Sequence, residues 1–422
     1  MENVLVAAHT LGCKVNQCDT DAVLRRLIEI GCKICNFNDI ADIYIINTCT
    51  VTHAGDKKSR QIIRRARKQN PHAMVAVCGC MVQNDAVNAK ALEVDFIFDA
   101  RKPEDFVKKV SEHLMCAGTT SLMVLPSLLR TRTRAFIKIQ DGCDRFCAYC
   151  IVPYVRGKPK SRAAQDILKE AIHFIASGVQ EIVLTGIQVA SYGEDTNTNL
   201  PELIGQVASL NGLKRLRLSS IEPCAINDNF LAVVASSQVL CDHFHLSLQS
   251  GSNATLQSMN RHYTTDQYTQ IAESLRSIRP NVAFTTDIIV GFPGETDEAF
   301  SESLAFVQQM GFARIHVFEY SKREGTAAAN FPNQITDKVK YERSRQMREL
   351  AAKLQMNFHK TQVGKTADVL FETSKAGGKW IGHTNNYCPV EVRCEFNLSN
   401  TIKQVKIIAC TQDGLEGALI DN

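Results

Sequence analysis

Three cysteines stand close together in the phrase D-G-C-D-R-F-C-A-Y-C, at positions Cys143, Cys147 and Cys150. Three thiolates can hold a 4Fe–4S cluster, but they leave one of its irons without a protein ligand. A catalytic zinc keeps an open position for its substrate in the same way. Zinc itself is the alternative, although it needs a fourth Cys or His and none follows within the loop. The phrase therefore predicts a 4Fe–4S site with one free iron.

Three further cysteines, Cys13, Cys49 and Cys80, lie far apart in the chain, and each lies a few residues past a predicted strand. The strand ends of an open parallel α/β sheet converge on one crevice, so these residues can meet there and form a second open site. Buried free cysteine also behaves as a small hydrophobe, so spacing alone leaves a packing role open. The pair Cys32 and Cys35 is interpreted as packing.

The pattern of predicted strands and helices around these cysteines indicates a multidomain α/β protein. Residues 1–116 alternate short β-like runs with amphipathic helical stretches, which predicts a parallel α/β domain. In residues 117–133 the composition shifts to Gly, Thr, Ser and Pro with scattered leucines, which predicts a linker. Residues 134–360 contain six β/α repeats, which predict a partial (β/α)6 barrel. Residues 361–422 show the short alternating strands of a small all-β barrel.

The predicted strands place the cysteines at strand ends. In the first domain the strands are residues 4–8, 43–46, 74–77 and 95–98. In the central region they are residues 135–140, 181–185, 214–219, 243–248, 283–290 and 314–318. In the last region they are residues 367–372, 380–383, 390–394 and 405–408. Cys143 follows the first central strand, and the carboxyl-terminal face of such a barrel is where chemistry is expected.

Composition excludes several classes of protein. Apolar residues make up 45% of the 422 residues, so we expect a folded rather than a disordered chain. No apolar run approaches the roughly 18 residues that span a bilayer. The chain start has Glu2 where a secretion signal needs Lys or Arg. We therefore expect a cytoplasmic protein with no membrane contact, in which most cysteines remain reduced.

Positive charge is concentrated in two segments, although the formal net charge is only +4. Seven basic residues and no acid lie between Lys57 and Lys68, and nine basic residues face two acids between Arg130 and Arg162. This distribution is typical of a protein that binds a polyanion such as RNA. Two solvated surfaces would produce the same pattern, so charge alone leaves both interpretations open.

The CxxxCxxC loop after the first strand of a six-repeat barrel resembles that of the radical S-adenosylmethionine enzymes. The resemblance implies that S-adenosylmethionine binds the free iron and is split to a 5′-deoxyadenosyl radical. It also implies that Tyr149 lies against the adenine. Thr185 and Gly186, in L-T-G-I-Q, match the segment that binds the methionyl amino group, although the usual Gly-Gly-Glu is absent. Ribose and adenine contacts would come from Gln249, Ile289 and Gly291.

Together with L-G-C-K-V-N, N-T-C-T-V-T and C-G-C-M-V-Q, this loop resembles the methylthiotransferases of the same superfamily over nearly the whole chain. The resemblance implies a second 4Fe–4S cluster on Cys13, Cys49 and Cys80, and an RNA-binding C-terminal barrel of the TRAM type. One S-adenosylmethionine would methylate a sulfur of that cluster. A second would yield the radical that removes an unactivated hydrogen, which no ordinary acid or base can do. An electron donor of low potential, of the flavodoxin or ferredoxin type, is also implied.

The phrases I-V-P-Y-V-R-G and L-T-G-I-Q-V-A-S-Y-G most resemble the branch that modifies N6-threonylcarbamoyladenosine beside the anticodon of tRNA. The resemblance implies a 2-methylthio product, with Arg64, Arg156 and Arg162 contacting phosphate or the threonylcarbamoyl carboxylate. The branches acting on isopentenyladenosine and on a ribosomal-protein aspartate are alternatives. A zinc-containing protein that binds nucleic acid without catalysis is a third. The nearly neutral C-terminal region departs from the basic surface that RNA binding prefers.

Overall fold

A computed structural model of the chain describes residues 4–84, 94–116 and 133–420. The predicted linker, residues 117–133, lies almost entirely outside these described residues. The predicted multidomain α/β class is confirmed, because a parallel sheet, a six-strand β/α region and a closed β-barrel follow one another along the chain. None of the helices in the described stretches has the length and apolarity needed to span a bilayer.

The N-terminal sheet is parallel, with the strand order β2-β1-β3-β4-β5. Its strands are Leu5–Thr10 (β1), Lys33–Cys35 (β2), Ile43–Thr48 (β3), Met74–Gly79 (β4) and Phe96–Ile97 (β5). The helices around it are Lys14–Glu29, His53–Gln69, Cys80–Asn84 and Glu104–Cys116. Strand β3 is buried along its whole length because apolar clusters cover both faces of the sheet. The short edge strand β2 was not predicted, since its three residues show no clear alternation.

The central region contains the six parallel β/α units that the sequence predicted. Its strands are Arg134–Asp141 (β6), Lys160–Ser161 (β7), Glu181–Gly186 (β8), Arg215–Leu218 (β9), Ser220–Ile221 (β10), His243–Leu246 (β11), Ala283–Val290 (β12) and Arg314–Glu319 (β13). Strand β10 continues β9, and β7 is a short antiparallel addition beside β6. The two hydrogen-bonded sheets, β7-β6-β8-β9 and β10-β11-β12-β13, are linked by a bridge between Leu216 and Leu240.

Side chains alternate between the two faces of the central strands, as the β pleat requires. Ile137 and Ile139 of β6 point outward into a large apolar core. The helices of this region are Val152–Arg156, Ala164–Ala176, Leu200–Ala208, Asp228–Ser236, Asn253–Ser258, Thr265–Ile278, Asp297–Met310 and Asp337–Lys360. On the opposite face of β6, Lys138 pairs with Asp19 of the N-terminal helix Lys14–Glu29. This helix therefore packs against the inner face of the central region.

The C-terminal region is a closed barrel with the strand order β14-β15-β16-β18-β17. Its strands are Thr366–Lys375 (β14), Lys379–Thr384 (β15), Pro389–Arg393 (β16), Ile402–Cys410 (β17) and Leu415–Leu419 (β18). Four of the five were predicted. The sequence D-G-L-E-G around β18 reads as a turn, and its parallel pairing with β16 is a tertiary contact that local pattern does not reveal.

The C-terminal barrel docks on the amino-terminal ends of the central strands through a buried acid and three arginines. Glu181 of β8 is fully buried and lies 2.7 Å from Arg217 Nε and 3.1 Å from Arg134 Nε. Arg134 donates to the Tyr387 hydroxyl at 3.2 Å, and the Arg217 guanidinium lies 4.6 Å from the Tyr387 ring centroid. Arg215 donates to two backbone carbonyls of the barrel, at His383 and Asp368.

Glu181→Gln is expected to lower the free energy of unfolding at neutral pH by about 2 kcal/mol, because hydrogen bonds to charged groups are lost. Burial raises the pKa of Glu181, but Arg217, Arg134 and Arg215 outweigh it and lower the pKa to about 2. Because an unfolded glutamate titrates near pH 4.5, the wild-type carboxylate contributes stability above that pH and loses it as the pH falls toward 2.

Denaturant unfolding at a series of pH values measures this effect. The variant should show a shallower loss of stability below pH 4.5 than the wild type. Glu273→Gln, at an exposed position of the helix Thr265–Ile278, is the matched control and should leave both properties unchanged. An acid dependence identical to that of the wild type would contradict the assigned role of Glu181.

Candidate functional site

The first cysteine loop begins where β6 ends. Gly142 has a φ of +76°, and a Cβ on it would lie 2.1 Å from the carbonyl oxygen of Lys158, so the close approach requires glycine. The backbone N–H of Cys150 donates to the carbonyl of Cys147 at 2.9 Å, which tightens the turn between them. Cys143 and Cys147 lie close enough to Cys150 to affect its ionisation. The structure thus brings together the three thiols of the CxxxCxxC phrase.

The surroundings of these thiols suit a metal cluster. Burial raises the pKa of Cys143 to about 11 and that of Cys150 to about 12, so both are neutral thiols until a metal displaces the proton. Arg261 Nη1 lies 3.3 Å from Cys147 Sγ and 2.6 Å from Glu222 Oε1. A buried guanidinium beside the sulfur offsets the negative charge of bound thiolates. Three thiols with this cation fit a 4Fe–4S cluster that keeps one iron open.

The other three cysteines lie at the carboxyl ends of three neighbouring strands. Cys13 follows β1, Cys49 follows β3, and Cys80 follows β4 as the first residue of a short helix. The sheet order places β1, β3 and β4 side by side, so parallel topology brings the three residues to one edge. Their loops are in direct contact, since a Cβ on Gly12 would lie 3.1 Å from Cys49 Sγ. Burial raises the pKa of Cys49 and of Cys80.

Two buried asparagines that sequence reasoning missed hold these loops together. Asn16 Nδ2 donates to the carbonyls of Leu11 at 2.8 Å and Thr48 at 3.1 Å, which ties the end of β1 to the end of β3. Asn47 Nδ2 donates to the carbonyl of Asn16 at 2.8 Å. Side chains that orient metal ligands contribute strongly to such sites. Their presence in the phrases L-G-C-K-V-N and N-T-C-T is the signal that could have identified them.

The two cysteine loops meet across the interface between the N-terminal and central regions. The short helix Cys80–Asn84 packs on the helix Val152–Arg156. Cys80 shares a buried apolar cluster with Ile151 and Val155. Ile151 directly follows Cys150. The helix that begins at Cys80 therefore packs against the chain segment that follows the Cys143–Cys150 loop. The structure thereby places the two candidate metal sites next to each other.

Arg156 connects these two loops through buried contacts that the sequence did not predict. Its side chain is only 3% exposed, and Nη1 lies 2.9 Å from Asp141 Oδ1. Nη2 lies 3.1 Å from Asp19 Oδ2 and 2.5 Å from Asn16 Oδ1. A guanidinium held by two carboxylates in the interior is unavailable to RNA phosphate, whereas its predicted contact with the threonylcarbamoyl carboxylate stays a prediction. Arg156 joins the loop of Cys13 to the strand that ends before Cys143.

The residues predicted to bind S-adenosylmethionine lie at the carboxyl ends of the central strands. Thr185 and Gly186 end β8, and Gln249 follows β11 with a φ of +70°. The backbone N–H of Gln249 donates to the carbonyl of Asp287 at 2.9 Å, and its carbonyl accepts from the N–H of Ile289 at 2.9 Å. The unusual backbone at Gln249 is thereby held against β12. Thr185, Gln249 and Ile289 thus belong to one end of the barrel.

Tyr149 and Ile289 share an apolar environment, although they come from different loops. Both pack against the same buried cluster, which consists of Ala148, Met259, Phe292, Tyr320 and Ala328. This shared environment suits the predicted adenine contacts. Gly291 has a different setting, because its N–H donates to Glu295 Oε2 at 2.7 Å. That hydrogen bond makes Gly291 part of the turn after β12.

The two remaining predicted substrate residues lie on the surface. Arg64 is exposed on the helix His53–Gln69, beside a cleft of about 570 Å³ that Lys57, Arg60 and Arg323 also line. The cleft lies between this helix and the segment after β13. Arg162 donates to Glu170 Oε2 at 2.8 Å, and 35% of its side chain remains exposed. Arg64 is therefore open to an anionic partner, whereas the charge of Arg162 is partly compensated.

Two family models match this chain. One described as Radical SAM superfamily matches residues 137–307, and one described as Uncharacterized protein family UPF0004 matches residues 5–99. The Threonylcarbamoyladenosine tRNA methylthiotransferase MtaB of Bacillus subtilis (strain 168) is 36% identical over 434 residues, which cover 98% of this chain and 96% of that protein. This chain belongs to the methylthiotransferase family. As a member of the Radical SAM superfamily, it is an enzyme, as the sequence predicted.

Other proteins are similar to this methylthiotransferase at greater distance. The tRNA-2-methylthio-N(6)-dimethylallyladenosine synthase of Caldicellulosiruptor saccharolyticus is 34% identical, over 97% of this chain and 91% of that protein. The radical S-adenosylmethionine methyltransferase TsrM from Kitasatospora setae shares the fold, with a TM-score of 0.58 and 12% identity over 90% of this chain and 81% of that one. Membership of the Radical SAM superfamily implies a 4Fe–4S cluster and S-adenosylmethionine.

Proposed function

We propose that this methylthiotransferase converts N6-threonylcarbamoyladenosine beside the anticodon of tRNA into its 2-methylthio derivative. The observation that carries the proposal is the packing of Cys80, from one triad, on Ile151 and Val155, which follow Cys150 of the other. A reaction that needs both a radical and a sulfur donor requires two such sites next to one substrate pocket. The name of the Bacillus subtilis relative supports the choice of substrate.

In this proposal the chain holds two 4Fe–4S clusters, one on Cys143, Cys147 and Cys150 and one on Cys13, Cys49 and Cys80. When bound, the clusters and S-adenosylmethionine supply the radical that removes a hydrogen from the adenine and the methylthio group that replaces it. The protein orients these groups and keeps water away from them. Thr185, Gly186 and Gln249 hold S-adenosylmethionine at the strand ends.

The remaining protein side chains position the cofactor and the RNA. Tyr149 and Ile289 provide an apolar surface for the adenine of S-adenosylmethionine, and Gly291 shapes the turn beside it. Arg64 contacts phosphate of the tRNA from the exposed face of its helix, together with the basic residues around it. Arg162 contributes a weaker phosphate contact, because Glu170 already pairs with it. A low-potential electron donor of the flavodoxin or ferredoxin type supplies the electron.

Mass spectrometry of tRNA nucleosides from cells that lack the protein tests the proposal. We expect the 2-methylthio form of N6-threonylcarbamoyladenosine to disappear, and the unmethylthiolated nucleoside to accumulate in its place. A plasmid with the wild-type chain should restore the product, and a plasmid with Cys147→Ala is the matched control that should not. Persistence of the product, with no second enzyme to make it, would reject this substrate. Loss of the methylthio form of isopentenyladenosine alone would assign the other tRNA branch.

A further inference from the structure

Strands β11, β12 and β13 carry three polar side chains on the face opposite their apolar core, and these three form what is called the polar group below. Phe244, Ile288 and Ile315 point into that core, whereas His245, Asp287 and His316 point the other way. Nitrogen and oxygen atoms of these three side chains all lie within 4.8 Å of one another. A packed barrel interior is normally filled by branched apolar residues, so a polar group here calls for an explanation.

The His245 ring is held in one orientation by a hydrogen bond, while its Nε2 has no hydrogen-bond partner among the described residues. His245 Nδ1 lies 2.9 Å from Thr285 Oγ1, and His245 Nε2 lies 3.2 Å from Asp287 Oδ2. His243 Nε2 lies 3.0 Å from the same hydroxyl of Thr285, so one threonine connects both imidazoles. This arrangement points the His245 ring at Asp287. The polar group is therefore organised before any ligand arrives.

Lys14 adds a positive charge to this region from the N-terminal helix. Its Nζ lies 6.0 Å from the ring centroid of Phe136, which points to the same inner face. Within the described stretches the ammonium has no hydrogen-bond acceptor and no carboxylate partner, and the residue is accessible to solvent. Its charge reaches His316 across the interior. The charge of Glu181 acts on this ammonium, but the Glu181 carboxylate is already paired with three arginines.

The polar group is connected through the chain to both candidate cofactor sites. Lys14 directly follows Cys13, which belongs to the N-terminal triad. Asp287 stands two residues before Ile289 on β12, so both side chains are on the same face of the strand. A molecule bound at Lys14, His245, Asp287 and His316 would therefore lie close to both sites, where the reacting nucleoside must be.

We propose that Lys14, His245, Asp287 and His316 bind the threonylcarbamoyl group of the substrate, an inference that rests on the proposed function. That group carries a carboxylate, which Lys14 and the imidazoles can bind, and a hydroxyl and amide N–H groups, which can donate to Asp287. A dimethylallyl group has none of these and would leave the polar side chains unpaired, which is how such sites reject apolar analogues.

A divalent cation is the other ligand that two histidines and one aspartate can hold. The negative charge of Asp287 is the strongest that acts on His316, and the positive charges of Arg314 and Lys14 act against it and oppose a cation there. These two positive charges favour an anionic ligand. The charge distribution around the group therefore supports the carboxylate over the metal.

Binding of matched RNAs to the anaerobically reconstituted full chain tests the inference. Two anticodon stem–loops, identical except for N6-threonylcarbamoyladenosine or plain adenosine beside the anticodon, are titrated by fluorescence anisotropy. We expect the wild type to prefer the modified RNA. Lys14→Met and His316→Leu should each reduce that preference by about tenfold or more. Binding of the plain RNA should not change, because phosphate contacts dominate it.

Lys169→Met and His173→Leu, on the exposed outer helix Ala164–Ala176, are the matched controls and should keep the preference. Iron content confirms that each variant is loaded. An unchanged preference in both Lys14→Met and His316→Leu would overturn this inference alone. So would one equivalent of zinc that the wild type binds and His316→Leu loses while the RNA preference persists. A wild type without preference and without 2-methylthio product would reject the proposed function as well.

Discussion

Alanine at Cys49 is expected to abolish methylthio transfer while formation of 5′-deoxyadenosine continues. Cys49 belongs to the N-terminal triad at the ends of β1, β3 and β4, and the loop of Cys143 does not depend on it for its backbone contacts. Loss of one of three thiols should prevent that triad from holding its cluster. Iron should fall from about eight to about four atoms per chain, with acid-labile sulfide falling in parallel.

Cys147→Ala is the complementary variant and should lose both reactions. Its iron content should also fall to about four atoms, because the N-terminal triad remains intact. Cys35→Ala is the matched control, since Cys35 is a partly buried thiol of the same N-terminal sheet that lies outside both triads. It should retain full iron and full turnover. Methylthio transfer by Cys49→Ala at the wild-type rate would refute the division of roles between the triads.

Arg156→Met is expected to lower the free energy of unfolding by about 3–5 kcal/mol, because removal of one partner leaves buried charges uncompensated. The guanidinium contacts both carboxylate oxygens of Asp141, at 2.9 and 3.0 Å, and one of Asp19. Lys138 pairs with the same two acids, so part of their charge stays compensated. Denaturant unfolding of the iron-loaded chain measures the loss.

The same variant should also load less iron, since Arg156 joins the loop of Cys13 to the strand before Cys143. Arg26→Met is the matched control because, among the residues that the structure describes, the Arg26 side chain pairs only with Glu29, 3.6 Å away and exposed, and such pairs contribute little. Arg156→Lys should recover part of the stability, because lysine keeps the positive charge but cannot contact Asp141 and Asp19 with separate nitrogens as the guanidinium does. Wild-type stability in Arg156→Met would show that these buried contacts are not the ones holding the interface.

Local pattern was enough to select the cysteines and most of the strands. The CxxxCxxC spacing lies within one loop, and loop geometry brings Cys143, Cys147 and Cys150 together whatever the rest of the chain does. The N-terminal triad required one more step, which was to recognise Cys13 and Cys49 as residues that follow strands of a parallel sheet. Parallel strands end at one edge, so this step needed no knowledge of the side-chain packing. A packing role stayed open at that point, and the resemblance to the methylthiotransferases then implied a metal site.

Arg156 shows where sequence reasoning stopped. In the chain it is one of nine basic residues in a positive segment, and nothing local separates it from a surface arginine. Its partner Asp19 is 137 positions away, and only the docking of the N-terminal helix on β6 brings the two together. Asn16 and Asn47 were missed for the same reason, since their role depends on burial. Strand β18 was missed because its pairing with β16 is a contact between distant segments.

The amino-acid sequence by itself predicted which cysteines form the two candidate metal sites, through the spacing of one triad, the strand-end positions of the other and the resemblance to the methylthiotransferases. It also determined the order of the three folded regions, through the change from β/α repeats to alternating strands. Only the tertiary structure decided that the two triads pack on each other, and that Arg156 is an interior link rather than a surface contact. Burial and ion pairing arise from the docking of whole domains, and no short stretch of sequence contains that information.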